Sequence, residues 1–108
     1  MTRWLDAGTA DLMPGQARTL ELEGVMVAIV NVGGALLAIE NRCTQDGSPL
    51  FSCGLDVRDL LEDDQVICPR HGARFCLRTG AALTPPAYEP TATFPARVEA
   101  GRLQVQMP

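Results

Sequence analysis

Short apolar runs separated by turn-forming residues dominate the chain and predict an all-β protein. The run ARTLEL alternates apolar and polar positions, which is typical of a strand with one buried face. Turn-forming pairs at Glu23-Gly24 and Gly33-Gly34 separate this run from VMVAIVNV and ALLAIE. The sequence therefore predicts an N-terminal antiparallel meander that ends at Glu40.

A second hairpin is predicted at the other end of the chain, where FPARVEA and RLQVQM flank the turn Ala100-Gly101. We expect this hairpin and the N-terminal meander to pair in one sheet. The apolar positions predicted to point inward are Phe94, Val98, Leu103 and Val105.

One segment departs from the β pattern. In FSCGLDVRDLLEDDQ the apolar residues Leu55, Val57, Leu60 and Leu61 have spacings that predict one or two turns of helix. A strand is predicted to follow from Val66. The acidic run at 62–64 between them is interpreted as a solvated loop.

Length and charge restrict the function further. A chain of 108 residues predicts one domain over residues 1–108. Its formal net charge is -4 and its basic residues are scattered, so a nucleic acid or an anionic membrane is not expected as partner. No apolar run reaches the roughly 18 residues of a membrane span, and the start of the chain lacks the apolar core of a signal peptide. We expect a soluble cytoplasmic protein.

The four cysteines, Cys43, Cys53, Cys68 and Cys76, contain no C-x-x-C pair, which disfavours a zinc ribbon or a thioredoxin-like motif. The compact stretch CPRHG is more informative. Its proline ends a short apolar strand, and Gly72 permits a sharp turn. The thiolate of Cys68 and the imidazole of His71 can then converge on one metal centre; alternatively, a histidine lies in a turn beside a structural cysteine.

The chain resembles the Rieske-type ferredoxins of ring-hydroxylating dioxygenase systems in three successive stretches. These are CTQDGSPL, CPRHGARFCLRTG and the proline-rich TPPAYEP. In that family the two loops read C-x-H-x-G-x-P-L and C-P-x-H-G-x-x-F. The resemblance extends through nearly the whole chain. It implies an antiparallel β-sandwich with an inserted cluster-binding subdomain at about residues 42–80. It also implies a [2Fe-2S] cluster held by two cysteines and two histidines.

Carried over by position, Cys43 and Cys68 match the two thiolate ligands, and His71 matches the second imidazole. Gln45 stands at the position of the first imidazole. A carboxamide is a neutral, hard oxygen donor and binds iron more weakly than an imidazole nitrogen does.

Four interpretations of the site follow from Gln45. The cluster forms with Gln45 or water on the outer iron, or it recruits Cys53 as a replacement ligand. Alternatively, a single zinc or iron is held by a Cys3His set. In the fourth interpretation the site is empty and the fold is a binding module, as in small subunits of some nitrite reductases.

The resemblance implies a one-electron carrier with no substrate of its own, and therefore no enzyme. Its partners would be a flavin-dependent reductase and a terminal oxygenase or other enzyme subunit. The alternatives are a cluster-free regulatory subunit and a mononuclear metal protein. Cys76 shares a strand face with Arg74 and Arg78, so it is interpreted as a half-buried strand residue rather than a ligand. Arg70 and Arg74 are candidates for a docking rim.

Overall fold

The computed structural model describes residues 3–42, 50–51, 61–62, 64–68, 72–84 and 89–107. Within these ranges the regular elements are β-strands, and no helix is long and apolar enough to cross a membrane. The strands are β1 (Arg3–Thr9), β2 (Ala17–Leu22), β3 (Val25–Val32), β4 (Ala35–Glu40), β5 (Leu61–Glu62), β6 (Gln65–Ile67), β7 (Arg74–Cys76), β8 (Thr93–Phe94), β9 (Ala96–Glu99) and β10 (Arg102–Met107).

These strands form three antiparallel sheets. The outer sheet has the order β1-β10-β9, and the middle sheet has the order β2-β3-β4-β8. A small third sheet, β5-β6-β7, lies in sequence between β4 and β8. This sheet falls within the segment predicted as the cluster-binding subdomain; the limits of that subdomain, and the single-domain span of 1–108, stay predictions.

The predicted meander is confirmed, and its turns have a common backbone geometry. Glu23 and Gly24 have φ values of 50° and 83°, and Gly33 and Gly34 have values of 59° and 100°. Positive φ at both central residues gives a two-residue loop the twist that matches its flanking strands. The pairs therefore set the register in which β2, β3 and β4 align.

β3 of the middle sheet is buried on both faces, which explains its nearly continuous apolar run. Val27 and Ile29 belong to a core cluster that includes residues of the outer sheet, such as Leu103. Ala28 and Val30 belong to a second cluster that includes residues of the third sheet, such as Phe75. Because alternate residues of a strand point to opposite faces, β3 contributes to both cores at once.

The terminal hairpin is present, but Phe94 is the one residue of its predicted strands that pairs with the meander, opposite Ala38 of β4. β10 pairs with β1 on its free side, with Leu5 opposite Val105, and Phe94 lies in β8 of the middle sheet. Leu103 and Val105 are buried as predicted, whereas Val98 is 51% exposed. Val98 lies on β9, an edge strand with a hydrogen-bonded neighbour on one side only.

The predicted helix is wrong at its one described apolar position. Leu61 lies in β5 and pairs with Val66 of β6; Leu55, Val57 and Leu60 lie outside the described residues. The acidic run also differs from a simple solvated loop. Glu62 forms an ion pair with Arg74 at 2.8 Å, and Asp64 forms one with Arg78 at 3.2 Å. Asp63 lies outside the described residues.

The fold makes a direct prediction at Gly80, whose φ is 78°. A Cβ there would overlap the carbonyl oxygen of Thr91, so Gly80→Ala combines left-handed strain with a steric clash. We expect it to lower the free energy of unfolding by about 2–4 kcal/mol, measured by urea denaturation. Gly101→Ala is the matched control, because its φ is 75° but nothing lies within 4 Å of the added Cβ. Equal destabilisation of the two variants would contradict the close approach of Gly80 and Thr91.

Candidate metal centre

Cys68 lies directly after β6 and is the one predicted ligand within the described residues. Its side chain is 1% exposed, and it is a free thiol. Val66, two positions earlier in β6, is fully buried in the same cluster. Strand pairing and burial thus place the thiol at the end of the central strand of the third sheet, among apolar residues.

Two backbone hydrogen bonds close the loop that follows Cys68. The Cys68 amide donates to the carbonyl of Ala73 at 2.7 Å, and the Gly72 amide donates to the Cys68 carbonyl at 2.9 Å. Gly72 has a φ of 73°, a conformation that glycine adopts without steric cost. Cys68 and Gly72, the two ends of the CPRHG stretch, therefore have the hydrogen bonds that the predicted tight loop requires. His71 lies inside the loop and outside the described residues.

The return strand β7 is held on both sides. It pairs with β6 in the register Val66 to Phe75, and the Leu83 amide donates to the Arg74 carbonyl at 2.7 Å. The Arg74 amide donates to the Thr84 hydroxyl at 2.9 Å. These bonds fix the position of Arg74, where the chain leaves the Cys68 loop and enters β7.

Cys76 differs from Cys68 in its burial and in its hydrogen-bond partners. Phe75 and Leu77 are buried while Cys76 between them is half-buried, as the predicted strand register requires. The Thr79 hydroxyl lowers the pKa of the Cys76 thiol by hydrogen bonding, partial burial opposes this, and the main-chain amides of Thr79 and Arg78 add to the lowering. Cys76 therefore has local hydrogen-bond partners of its own.

The arginine proposed as part of a docking rim has partners in the third sheet. The Arg74 guanidinium donates to Glu62 at 2.8 Å and to the side chain of Gln65 at 3.4 Å. Its side chain therefore links all three strands of that sheet. Arg70 lies outside the described residues.

Cys43, Gln45, His71 and Cys53 all lie outside the described residues, so their ligand roles stay predictions. The donor chemistry can still be compared with a Rieske cluster. Cys43, Cys68 and His71 supply the donor types such a cluster needs, and the buried, unpaired thiol of Cys68 fits a ligand position. Gln45 is the one poor match in the set.

Comparison with known protein families identifies the family of this chain. The Rieske [2Fe-2S] domain model matches residues 3–95, and the chain belongs to that family. The expected all-β, antiparallel Rieske fold is confirmed.

Similar proteins are ferredoxins and related small subunits. The 3-phenylpropionate/cinnamic acid dioxygenase ferredoxin subunit of Escherichia coli (strain K12) is 39% identical over 109 residues, which cover 100% of this chain and 96% of that protein. A chain in the complex of reduced oxygenase and oxidized ferredoxin of carbazole 1,9a-dioxygenase matches with a TM-score of 0.80 and 32% identity, over 94% of this chain and 91% of that one.

A third match belongs to a different enzyme system. It is described as the small subunit of an NADH-dependent nitrite reductase from Mycobacterium tuberculosis. It has a TM-score of 0.78 and 27% identity, over 99% of this chain and 96% of that chain.

Two cysteine variants test the assignment of the site. We expect Cys68→Ser to abolish metal binding, because Cys68 is a ligand in the cluster and mononuclear interpretations alike. Cys76→Ser is the matched control, and we expect it to keep the metal content of the parent. Iron and zinc in the purified proteins are measured by elemental analysis. Metal loss in Cys76→Ser, or parental content in Cys68→Ser, would contradict the assignment.

Proposed function

We propose that this chain is a Rieske ferredoxin that carries one electron from a flavin-dependent reductase to a terminal oxygenase. The observation that carries the proposal is the Cys68 loop, with a buried free thiol and a hydrogen-bonded turn inside a Rieske domain. The ferredoxin subunits similar to this chain serve dioxygenases, and one solved relative comes from a complex of ferredoxin and oxygenase. The chain is an electron-transfer component and not a catalytic subunit.

Cys43, Cys68 and His71 would hold a [2Fe-2S] cluster, with Gln45 as a weak fourth ligand. Such a cluster supplies reversible one-electron transfer at a potential of roughly -150 to +300 mV when two imidazoles bind it. The described residues supply its support. The backbone of the Cys68 loop is tied to Ala73, and Phe75, Val66 and Leu77 exclude water from the sheet beneath.

Gln45 leaves the ligand set open within this proposal. An amide oxygen or a water on the outer iron gives a labile centre, and Cys53 as replacement adds negative charge and lowers the potential. A single zinc or iron held by Cys43, Cys53, Cys68 and His71 is the mononuclear alternative. Iron, sulfide and zinc contents separate these cases, since only a [2Fe-2S] centre contains inorganic sulfide.

A cytoplasmic location is part of the proposal. Neither Cys68 nor Cys76 forms a disulfide, as is usual for cysteines in a reducing compartment.

A second candidate function is a cluster-free subunit that modulates a larger enzyme. Two observations favour it: the amide at position 45 and the likeness to the nitrite reductase small subunit. In that case the protein would be colourless and would still bind its partner enzyme.

Electron delivery to an oxygenase tests the proposed function. The protein is reduced anaerobically and mixed in a stopped-flow instrument with an oxidised terminal oxygenase of a 3-phenylpropionate/cinnamic acid dioxygenase, and its visible absorbance is followed. We expect reoxidation that depends on the oxygenase concentration, and no signal from Cys68→Ser. A parent protein without a reducible chromophore would exclude electron carriage and leave the modulating role.

Gln45→His tests the role of position 45. The substitution restores the family's C-x-H pattern, and we expect the variant to bind the cluster at least as well as the parent, because imidazole is the stronger donor. Its reduction potential should also fall more steeply with rising pH, since two imidazoles can each lose a proton when the cluster is oxidised. Uptake of iron and sulfide is measured after anaerobic reconstitution, and the potential by redox titration across pH.

Gln45→Leu is the control for that experiment, because it removes the side-chain donor without supplying another. A Gln45→His protein that takes up no more iron and sulfide than Gln45→Leu would contradict the assignment of position 45 to the outer iron.

A further inference from the structure

Asn41 makes an unusual pair of contacts at the base of the first ligand loop. Its side-chain amide donates to the carbonyl of Phe51 at 2.9 Å, and its side-chain oxygen accepts from the Phe51 amide at 2.7 Å. We call these two bonds the Asn41 bridge. Asn41 is 5% exposed and Phe51 is 4% exposed, so both bonds are shielded from water. One side chain thus satisfies both main-chain groups of a residue ten positions away, as a neighbouring strand would.

The Asn41 bridge closes the segment that carries Cys43 and Gln45. Before the loop, the main-chain amide of Asn41 donates to the carbonyl of Met26 at 2.7 Å. This bond ties residues 40–42, which we call the first-loop stem, to β3. After the loop, Leu50 is fully buried in the core that also contains Cys68. One end of the first ligand loop is therefore tied to β3, and the other end packs in the core that contains Cys68.

Thr91 links the first-loop stem to β7, the strand that follows the second ligand loop. Its amide donates to the Gly80 carbonyl at 2.8 Å, and its hydroxyl lies 3.3 Å from the carbonyl of Glu40. Gly80 in turn donates to the carbonyl of Cys76, the last residue of β7, at 2.7 Å. A continuous chain of hydrogen bonds thus runs from the first-loop stem to the strand that follows the Cys68 loop.

We propose that Asn41, assisted by Thr91, is a positioning residue for the metal centre: it sets the spacing between the loop that carries Cys43 and Gln45 and the loop that carries Cys68. This inference rests on the proposed function, since it needs a metal centre between the two loops. A site with a weak donor at position 45 gains little affinity from that donor. Its stability therefore depends more strongly on how well the remaining ligands are held in place.

The fold contains a matched control for Asn41. Asn31 is also a buried amide, at 7% exposed, and it donates to the Leu12 carbonyl at 2.9 Å and accepts from the Gly34 amide at 2.8 Å. It therefore makes the same two kinds of bond at a loop of the meander rather than at a ligand loop. Removing either amide leaves buried main-chain groups unpaired, so both substitutions destabilise the fold. Only Asn41 should also affect the metal centre.

The experiment compares Asn41→Leu with Asn31→Leu in the full chain after anaerobic reconstitution with iron and sulfide. Three quantities are measured: the rate of iron release to a colorimetric chelator, the EPR spectrum of the reduced protein, and the affinity of the metal-free protein for Co2+, a spectroscopic probe of thiolate ligation. Far-ultraviolet circular dichroism confirms that each variant is folded. Should Asn41→Leu not fold, Asn41→Asp replaces it with Asn31→Asp as its control, since each carboxylate keeps the acceptor, loses the donor and buries a charge beside a main-chain carbonyl.

We expect the Asn41 variant to bind metal about tenfold to a hundredfold more weakly than the parent, the range typical of residues that orient metal ligands, and to release iron correspondingly faster. It should also bind Co2+ more weakly and show altered g values. The Asn31 variant should match the parent in all three measurements. Equal effects of the Asn41 and Asn31 variants would overturn the positioning role while leaving the proposed function intact. A parent protein that binds neither a cluster nor Co2+ would overturn the proposed function, and the positioning role with it.

Discussion

Burial of β3 on both faces is the interaction on which the rest of the structure depends. Val27 and Ile29 pack toward the outer sheet, while Ala28 and Val30 pack toward the sheet that carries Cys68. Each fully buried Val or Ile side chain contributes about 1.5–3 kcal/mol through removal of apolar surface from water. The third sheet is small, with strands of two or three residues, and gains its stability from this contact. The candidate metal centre is therefore built on a layer that the middle sheet stabilises.

Buried polar side chains satisfy main-chain groups that apolar packing leaves without hydrogen-bond partners. The side chains of Asn31, Asn41 and Thr91 are each less than a tenth exposed, and all three bind main-chain groups. Packing alone cannot satisfy the main chain where strands end and loops begin, and each unpaired buried group costs about 1–3 kcal/mol. The ion pairs of Arg74 and Arg78 lie on the surface, where such pairs contribute little. Positional accuracy near Cys68 comes mainly from the buried bonds.

Local sequence patterns predicted the parts of the fold that depend on near neighbours. Period-two alternation and the glycine pairs identified β2 to β4, and CPRHG identified the tight loop at Cys68. β1 was missed because Arg3–Thr9 mixes charged, small and apolar residues and pairs with residues near 105. Leu61 was misassigned because a short apolar run fits a helical or a strand period equally well. The Asn41 bridge gave no signal, since a single polar residue between a strand and a cysteine resembles any turn.

Membership in the Rieske family makes a [2Fe-2S] centre the expected cofactor, and Gln45 makes the presence of that cluster the first property to measure. The most direct test is chemical analysis of iron and acid-labile sulfide in protein purified without oxygen. For a [2Fe-2S] centre we expect iron and sulfide in equal amounts, approaching about two of each per chain, with little zinc. Zinc without sulfide, or a protein free of both metals, would contradict it.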